Sequence, residues 1–506
     1  DFFSILVDEC RDVSVKEQMG VVIRYVNKSG CVIERFLGLV HVSDTTAATL
    51  EKGIDSLFST YGLSISSLRG QGYDGASNMR GELNGLKSLI LKKNPSAYYI
   101  HCFAHQLQLT LVAVAKKHTS IGSFFNTVTR LCNVVGGSCK RRDMLQEKQM
   151  EKVIEGIAND EIKTGKGLNQ EMALKRPGDT RWSSHYGTLI NLMHLFSSVV
   201  DVLEYVGENG NDDQQRAEAN DLLEIMNQFE FVFVLHLMRK ILGITHELSQ
   251  VLQRKDQDIV NAMNLVKVSK ARLQAVRDDG WESLLIEVSN FCSKHEIIML
   301  NMEDAYATRG RPRRRVEKMT NLHHYRVELF YSVIDMQAQE LNHRFDEVNT
   351  ELLLCMACFD PRDSFSAFDK NKLLRLAEFY PSEFSAVALY ELESQLENFI
   401  FEVRLDENFS EVVGIGGLAQ KMVATRIHLV FPLVYLLVKL SLILPVATAT
   451  VERAFSAMNI IKTSLRNRMG DRLLNDCLVT YIEKDVFQNV SNEAIMQRFQ
   501  SMKNRR

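Results

Sequence analysis

Hydrophobic and polar positions divide the chain into a short strand-rich part and a long helical part. Phe2–Val7, Met19–Val26 and Cys31–Val42 read as strands, and N-K-S-G between the second and third reads as a hairpin-like turn. Thr45–Thr60 reads as a helix with Asp44 as its N-cap. A fourth strand at Ser67–Tyr73 precedes a helix at Met79–Lys93, a short strand at Ala97–His101 and an apolar helix at Ala104–Lys117. From about Ile121 to Leu418 the apolar spacing is helical. It is clearest over His185–Tyr205, Asp221–Leu248, Ile259–Asp278, Trp281–Cys292, Tyr325–Phe345 and Asn349–Phe359. Gly207–Gln215 reads as a polar loop and Ala307–Lys318 as a basic one. The end of the chain returns to an apolar helix, then the helix of Glu452, then R-N-R-M and a last helical stretch. No repeat period stands out.

Three strands, helix, strand, helix, strand, helix is the order of a ribonuclease-H-like core. The expectation is therefore an α/β ribonuclease-H-like core interrupted by a large all-α insertion, helix-rich overall. Its parts are expected at 1–120, 121–420 and 421–506. Two aspartates end strands in the places this fold uses: Asp8 closes F-F-S-I-L-V, and Asp74 follows L-R-G-Q-G-Y. A third acid, Glu452, lies in V-E-R-A-F-S. Carboxylates on separate elements that converge hold a pair of Mg²⁺ (or Mn²⁺) ions, the equipment for cutting and rejoining phosphodiesters. Glu9 and Asp12 lie close to Asp8, but strand alternation points Glu9 to the opposite face.

Composition narrows the partners. The 506 residues are too many for one core. Net charge is −3, so any DNA contact must come from local basic patches. Only 7 prolines favour helix, and 9 scattered cysteines without framework spacing fit a reducing, intracellular setting. Leu429–Leu444 is the most apolar stretch. Pro432 and Lys439 interrupt it, and it falls short of the roughly 20 residues a membrane span needs. It reads as a core helix, and no membrane partner is expected. The chain begins on a strand at Asp1, without methionine, which predicts a fragment lacking its N-terminal part.

At D-G-A-S-N-M, followed by H-C-F-A-H and then A-T-V-E-R-A-F-S, the chain resembles the hAT transposase superfamily. More narrowly, it is similar to hAT-like proteins with a TTF-type zinc finger, related to the MYM-type zinc finger proteins. The resemblance covers essentially the whole chain, including a C-terminal dimerisation region near Pro445–Val486. It implies that Asp8, Asp74 and Glu452 form a D-D-E metal site, with a helical insertion separating Glu452 from Asp74. It implies a reaction in which water opens one strand at a transposon end. The flanking 3′-hydroxyl then forms a hairpin, and the transposon 3′-hydroxyl attacks target DNA. It further implies a nuclear protein that binds transposon ends and target, and a homo-oligomer joined through the C-terminal region. The alternative is a domesticated or decayed relative that binds DNA and dimerises without catalysis.

Secondary sites each carry two readings. Trp182 in D-T-R-W-S-S either stacks on a displaced base, as the resemblance implies, or caps a helix as a core aromatic. Arg181 beside it is a candidate phosphate contact. Cys102 and His105 have a spacing that invites zinc. No second pair lies at a recognisable spacing, and the resemblance implies a structural role for Cys102 and a DNA-positioning one for His105. Cys355 with Cys358, and Cys292 with His295, read as core groups. In R-G-R-P-R-R-R, Arg309, Arg311, Arg313, Arg314 and Arg315 read as a DNA-contacting loop, a nuclear-import signal or a solvated loop. Lys140, Arg141 and Arg142 form a smaller patch that would face phosphate. Arg466 and Arg468 follow Glu452 by about four turns if that helix is continuous.

Overall fold

Five strands form one mixed sheet: β1 (Phe3–Arg11), β2 (Glu17–Val26), β3 (Val32–His41), β4 (Leu68–Tyr73) and β5 (Tyr98–His101). The spatial order is β3-β2-β1-β4-β5. β1, β2 and β3 are antiparallel neighbours, whereas β4 pairs parallel to β1 and β5 parallel to β4. The computed structural model describes residues 2–159, 165, 172–174, 176, 183–255, 257–306, 319–345 and 351–502.

Alternation along β1 builds two cores. Phe3, Ile5 and Val7 face the helix Ala47–Tyr61, meeting Leu50, Ile54 and Phe58. Leu6 faces the other way. With Val22, Phe36 and Leu39 it meets Val451, Ala454, Phe455 and Met458 of the helix Ala449–Ile461, and Leu474 and Leu478 of the helix Asp471–Ile482. Residues from the two ends of the chain thus share one core.

The structure falls into two compact units. The first comprises Asp1–Gln106, Gln250–Leu265 and Asp346–Arg506; the second comprises Leu107–Ser249 and Val266–Phe345. The stretch expected as one helical insertion, 121–420, is therefore shared between them. Within the first unit, Arg24 on β2 donates to the carbonyls of Lys255 (3.1 Å) and Gln257 (2.7 Å). Arg69 on β4 makes a buried ion pair with Glu383. The second unit is helical, with Phe233, Trp281, Tyr325 and Phe330 packed ring on ring.

Several helix boundaries differ from the pattern. The helix expected over Met79–Lys93 splits into Ser77–Arg80 and Leu86–Lys93, because Gly81 and Gly85 fold tightly onto each other. The helix expected over His185–Tyr205 is broken at Leu195, with a bend of 79°. Asp221–Leu248 covers two helices, Asp213–Met226 and Phe229–Leu252. Conversely, Ile259–Lys294 runs as one 36-residue helix through Gly280. Thr46, not Asp44, caps Ala47–Tyr61; the Asp44 carboxylate accepts from Thr46 N at 2.9 Å. Pro432–Ile443 is a largely buried helix, while Leu429 and Val430 are exposed just before it. Among the described residues no single helix is long and apolar enough to cross a membrane.

Candidate active site

The parallel ladder of β1 and β4 pairs Ile5 with Gln71 and Leu6 with Gly72. Two residues beyond that last rung stand Asp8, still on β1, and Asp74, the residue that follows β4. Asp8 shares the face of Leu6, the face covered by the helix that carries Glu452 in its first turn. Glu9 points the other way, as alternation requires. Its Oε1 accepts from Asn78 Nδ2 at 2.9 Å, and that amide also donates to Thr45 O at 2.7 Å.

The electrostatics show which acids share a field. Burial pushes the Asp8 carboxyl up; the hydrogen bond from Glu9 N (2.9 Å) opposes this, and the negative charges of Asp74, Glu452 and Glu9 add to it. The result is a pKa pushed up to about 7. Asp74 is held by its backbone: its Oδ1 accepts from Ala76 N at 3.1 Å, and Tyr99 Oη donates to its carbonyl at 3.0 Å. Among the described residues no group of three or more His, Cys, Asp and Glu side chains is arranged to hold a metal ion by itself.

Small residues let the Glu452 helix approach the sheet. Gly20 is the partner of Asp8 across β1 and β2, and a Cβ there would meet Val451 Cγ1 at 2.9 Å and the Phe455 ring at 3.3 Å. A Cβ on Gly72 would meet Pro445 at 2.8 Å, so this strand takes the turn before the helix directly on its backbone. Cys102 completes the link. Its N–H donates to Tyr73 O at 2.9 Å, and its sulfur accepts from Thr448 N and Thr448 Oγ1, both at 3.3 Å. Phe103 N also donates to Val446 O at 2.9 Å. Burial pushes the Cys102 thiol up to about 11, so it is a protonated structural group here. The His105 ring lies 6.0 Å from that of His101.

Residues 1–85 match the ZMYM1/FAM200 RNase-like domain, and residues 426–486 match the hAT family C-terminal dimerisation region. The chain carries a hAT dimerisation region. Asp8 and Asp74 fall in the first match, and Glu452 falls inside the hAT region. Two curated relatives extend the likeness along the whole chain. The human "52 kDa repressor of the inhibitor of the protein kinase" is 21% identical over 497 residues, and its mouse counterpart is 21% identical over 500. Each alignment covers 96% of this chain and 62% of the relative, so the chain spans under two thirds of their length.

Two ion clusters that the sequence reading missed fix the hAT helix. Arg24 and Glu34, both buried, pair at 2.8 Å. Arg24 also donates to Leu442 O at 3.0 Å, in the last turn of the preceding helix Pro432–Ile443, and the second Glu34 oxygen accepts from Thr450 in the first turn of Ala449–Ile461. Arg453 donates to the same Thr450 hydroxyl at 2.9 Å. At the other end Lys462 pairs with Asp12. A charged residue inside the apolar strand V-V-I-R-Y-V was the available signal for Arg24.

The remaining candidates fall as follows. Arg181, Trp182, Arg309, Arg311, Arg313, Arg314 and Arg315 lie outside the described residues. The basic patch is engaged internally: Lys140 donates to Tyr205 Oη and Arg142 to Gly136 O, both at 2.7 Å, and Arg141 to Val134 O at 2.9 Å. Cys355 and Cys358 are buried, with burial raising both thiols. Cys292 is likewise buried, and His295 packs against Phe196 and Phe291, burial lowering its pKa to about 4. The Glu452 helix ends at Ile461, so it does not continue to Arg466 and Arg468, which are exposed beyond it.

Proposed function

We propose that the chain is the catalytic and dimerising part of a hAT-type DNA transposase, with Asp8, Asp74 and Glu452 as its strand-cleaving acids on a ribonuclease-H-like core. The observation that carries this reading is the half-buried Asp8 carboxyl, close to the end of β4 and within the field of Asp74 and Glu452. The sheet order and the RNase-like match support the core.

The residues suit Mg²⁺ or Mn²⁺ chemically. All three offer hard carboxylate oxygen, and like charges gathered in one half-buried place are relieved by a cation. Mg²⁺ is commonly held by one or two carboxylates together with water and substrate phosphate, so an incomplete protein shell is compatible with it. Bound there, the ions would supply Lewis-acid polarisation of the phosphate and a more acidic attacking water. The chain's own groups orient the acids. Tyr99 fixes the Asp74 backbone, Cys102 ties β5 to Thr448, and Gly20 admits the helix that brings Glu452 to Asp8. In this reading DNA is the substrate, the nucleus is the site of action, and the hAT region joins two copies.

The test is Mg²⁺- or Mn²⁺-dependent strand cleavage of DNA bearing the terminal repeats that flank the chain's own gene, with Glu452→Gln beside the parent. Nicking with hairpin formation, lost in the variant, supports the transposase. A folded, DNA-binding parent that does not cut supports the second reading, a non-catalytic dimeric DNA-binding protein. That second reading draws on the relatives, which are named as repressors.

A further inference from the structure

The helical unit contains a cavity of about 440 Å³ that the acid site does not use. Two helices supply its polar groups, and Met193 of the helix Ser183–His194 completes the lining. His236 and Arg239, three apart on Phe229–Leu252, face Glu287, Asn290 and Lys294 on Ile259–Lys294, with Phe291 as an apolar wall. The spacing of three, four and seven puts each set on one helix face.

His236 is only 4% exposed, and neither of its ring nitrogens has a hydrogen-bond partner. Glu287 Oε2 stands 3.8 Å from its Nδ1, beyond hydrogen-bond reach. Arg239 Nε is likewise buried without a partner, although the guanidinium also pairs with Glu287. Burial, reinforced by the Arg239 cation, lowers His236 to about 4, so the ring is neutral and keeps one N–H to donate. Glu287 also holds Lys240 at 3.0 Å. Two cations of the lining (Arg239, Lys294) therefore stand against one carboxylate, which is already shared with Lys240 outside the lining. Buried donors without acceptors, in a place with surplus positive charge, suit an oxyanion and disfavour a metal ion. The cavity exceeds a single phosphate in size, and Phe291 offers a ring against which a base or sugar can pack.

We propose that this cavity binds the phosphate group of a nucleotide unit, free or within a DNA strand. His236, Arg239 and Asn290 supply N–H donors, and Lys294 supplies charge. The site is separate from the acid site and does not depend on strand cleavage.

The test uses the whole chain, with inorganic phosphate, AMP and a DNA duplex as probes in calorimetric titrations. Lys294→Glu and Asn290→Asp alter exposed residues, so the fold should be retained. Lys267→Glu, exposed on the same helix but outside the cavity, controls for general charge. The expected result is roughly tenfold weaker binding in each cavity variant, with the control close to parent. Loss of phosphate and AMP binding assigns a free nucleotide; loss confined to the duplex assigns a DNA strand; either carries the proposal. Equal binding by cavity variants and control, or no binding of any probe by the folded parent, overturns it. Cleavage is measured alongside, so failure here is distinguishable from failure of the acid site.

Discussion

Asp12→Asn should loosen the Glu452 helix from its far end. Lys462 follows the last helical residue, and its Nζ donates to Asp12 Oδ2 at 2.7 Å, with the two side chains 1% and 0% exposed. The Asp12 carboxylate also accepts from Ser14 N (2.8 Å), Ser14 Oγ (2.7 Å), Gln18 Nε2 (3.0 Å) and Lys16 N (3.2 Å). The pair thus joins the β1–β2 turn to the helix end. The asparagine keeps the shape but leaves the Lys462 ammonium buried without its counter-charge, which costs about 3–5 kcal/mol. At 1.36 kcal/mol per tenfold, amide protection over Ala449–Ile461 should fall by roughly two to four orders of magnitude. Hydrogen–deuterium exchange is the right assay, because a chain of two units need not unfold in one transition. Adding Lys462→Met should restore much of the loss, since both buried charges then leave together. Acid should also narrow the gap between parent and Asp12→Asn. Burial raises the Asp12 carboxyl, but the hydrogen bonds from Lys462, Ser14, Gln18 and Lys16 outweigh it and hold it well below the usual range. A folded pKa below the unfolded value gives stability that is complete above about pH 4 and is lost as pH falls further. Protection within threefold of the parent in Asp12→Asn would refute the argument.

Asp8 has the opposite sign. Its folded pKa, raised to about 7, means stability is lost as pH rises from about 4 through 7. Asp8→Asn should therefore melt higher than the parent at pH 8 and equally at pH 4, while losing cleavage; equal melting at both pH values would count against the buried-acid account. Gly20→Ala forces Val451 and Phe455 away from β2 and should cost about 1–3 kcal/mol, read from the chemical-denaturation midpoint of the first unit. In the helix Asp471–Ile482, Leu474 and Leu478 are buried while Leu473 (56%) and Tyr481 (51%) are exposed. If the hAT region joins two copies through this face, Leu473→Asp with Tyr481→Asp should lower the mass to that of a monomer in sedimentation; a parent and variant of equal mass would count against this face as the contact.

The sheet was legible because its strands are short runs bounded by turn residues and its hairpin carries N-K-S-G. All five strands appear close to their expected ends, although β1 runs on to Arg11 rather than stopping at Val7. Helix ends were less legible because packing, not propensity, sets them. The Gly81–Gly85 fold depends on a close approach that periodicity does not encode, and the bend at Leu195 leaves the apolar spacing on either side of it unbroken. The division into units was hidden for a similar reason. Arg24 reaches the backbone at 255 and 257, and Arg69 reaches Glu383, across sequence distances that no local pattern spans.

The acids were legible one at a time; their common field was not. Alternation along β1 separates Asp8 from Glu9, and the β1–β4 ladder ends two residues before both Asp8 and Asp74. The helix of Glu452 packs on the sheet where a glycine stands opposite Asp8, a proline rests on β4 and a cysteine thiol holds Thr448. Each of these three is ordinary in sequence. The two buried ion pairs, Arg24–Glu34 and Asp12–Lys462, then grip the helix at either end. Buried pairs are weak stabilisers but costly to break, so their effect is to specify one placement of the helix rather than to add stability. That makes the clamps separable from the chemistry. Thr450→Val should leave all three acids in place, remove the hydroxyl that Glu34 and Arg453 share, and raise exchange in the first turn before the last. If exchange rises evenly along the helix, the two ends are one cooperative unit, and the clamp at Thr450 has no local role in holding Glu452.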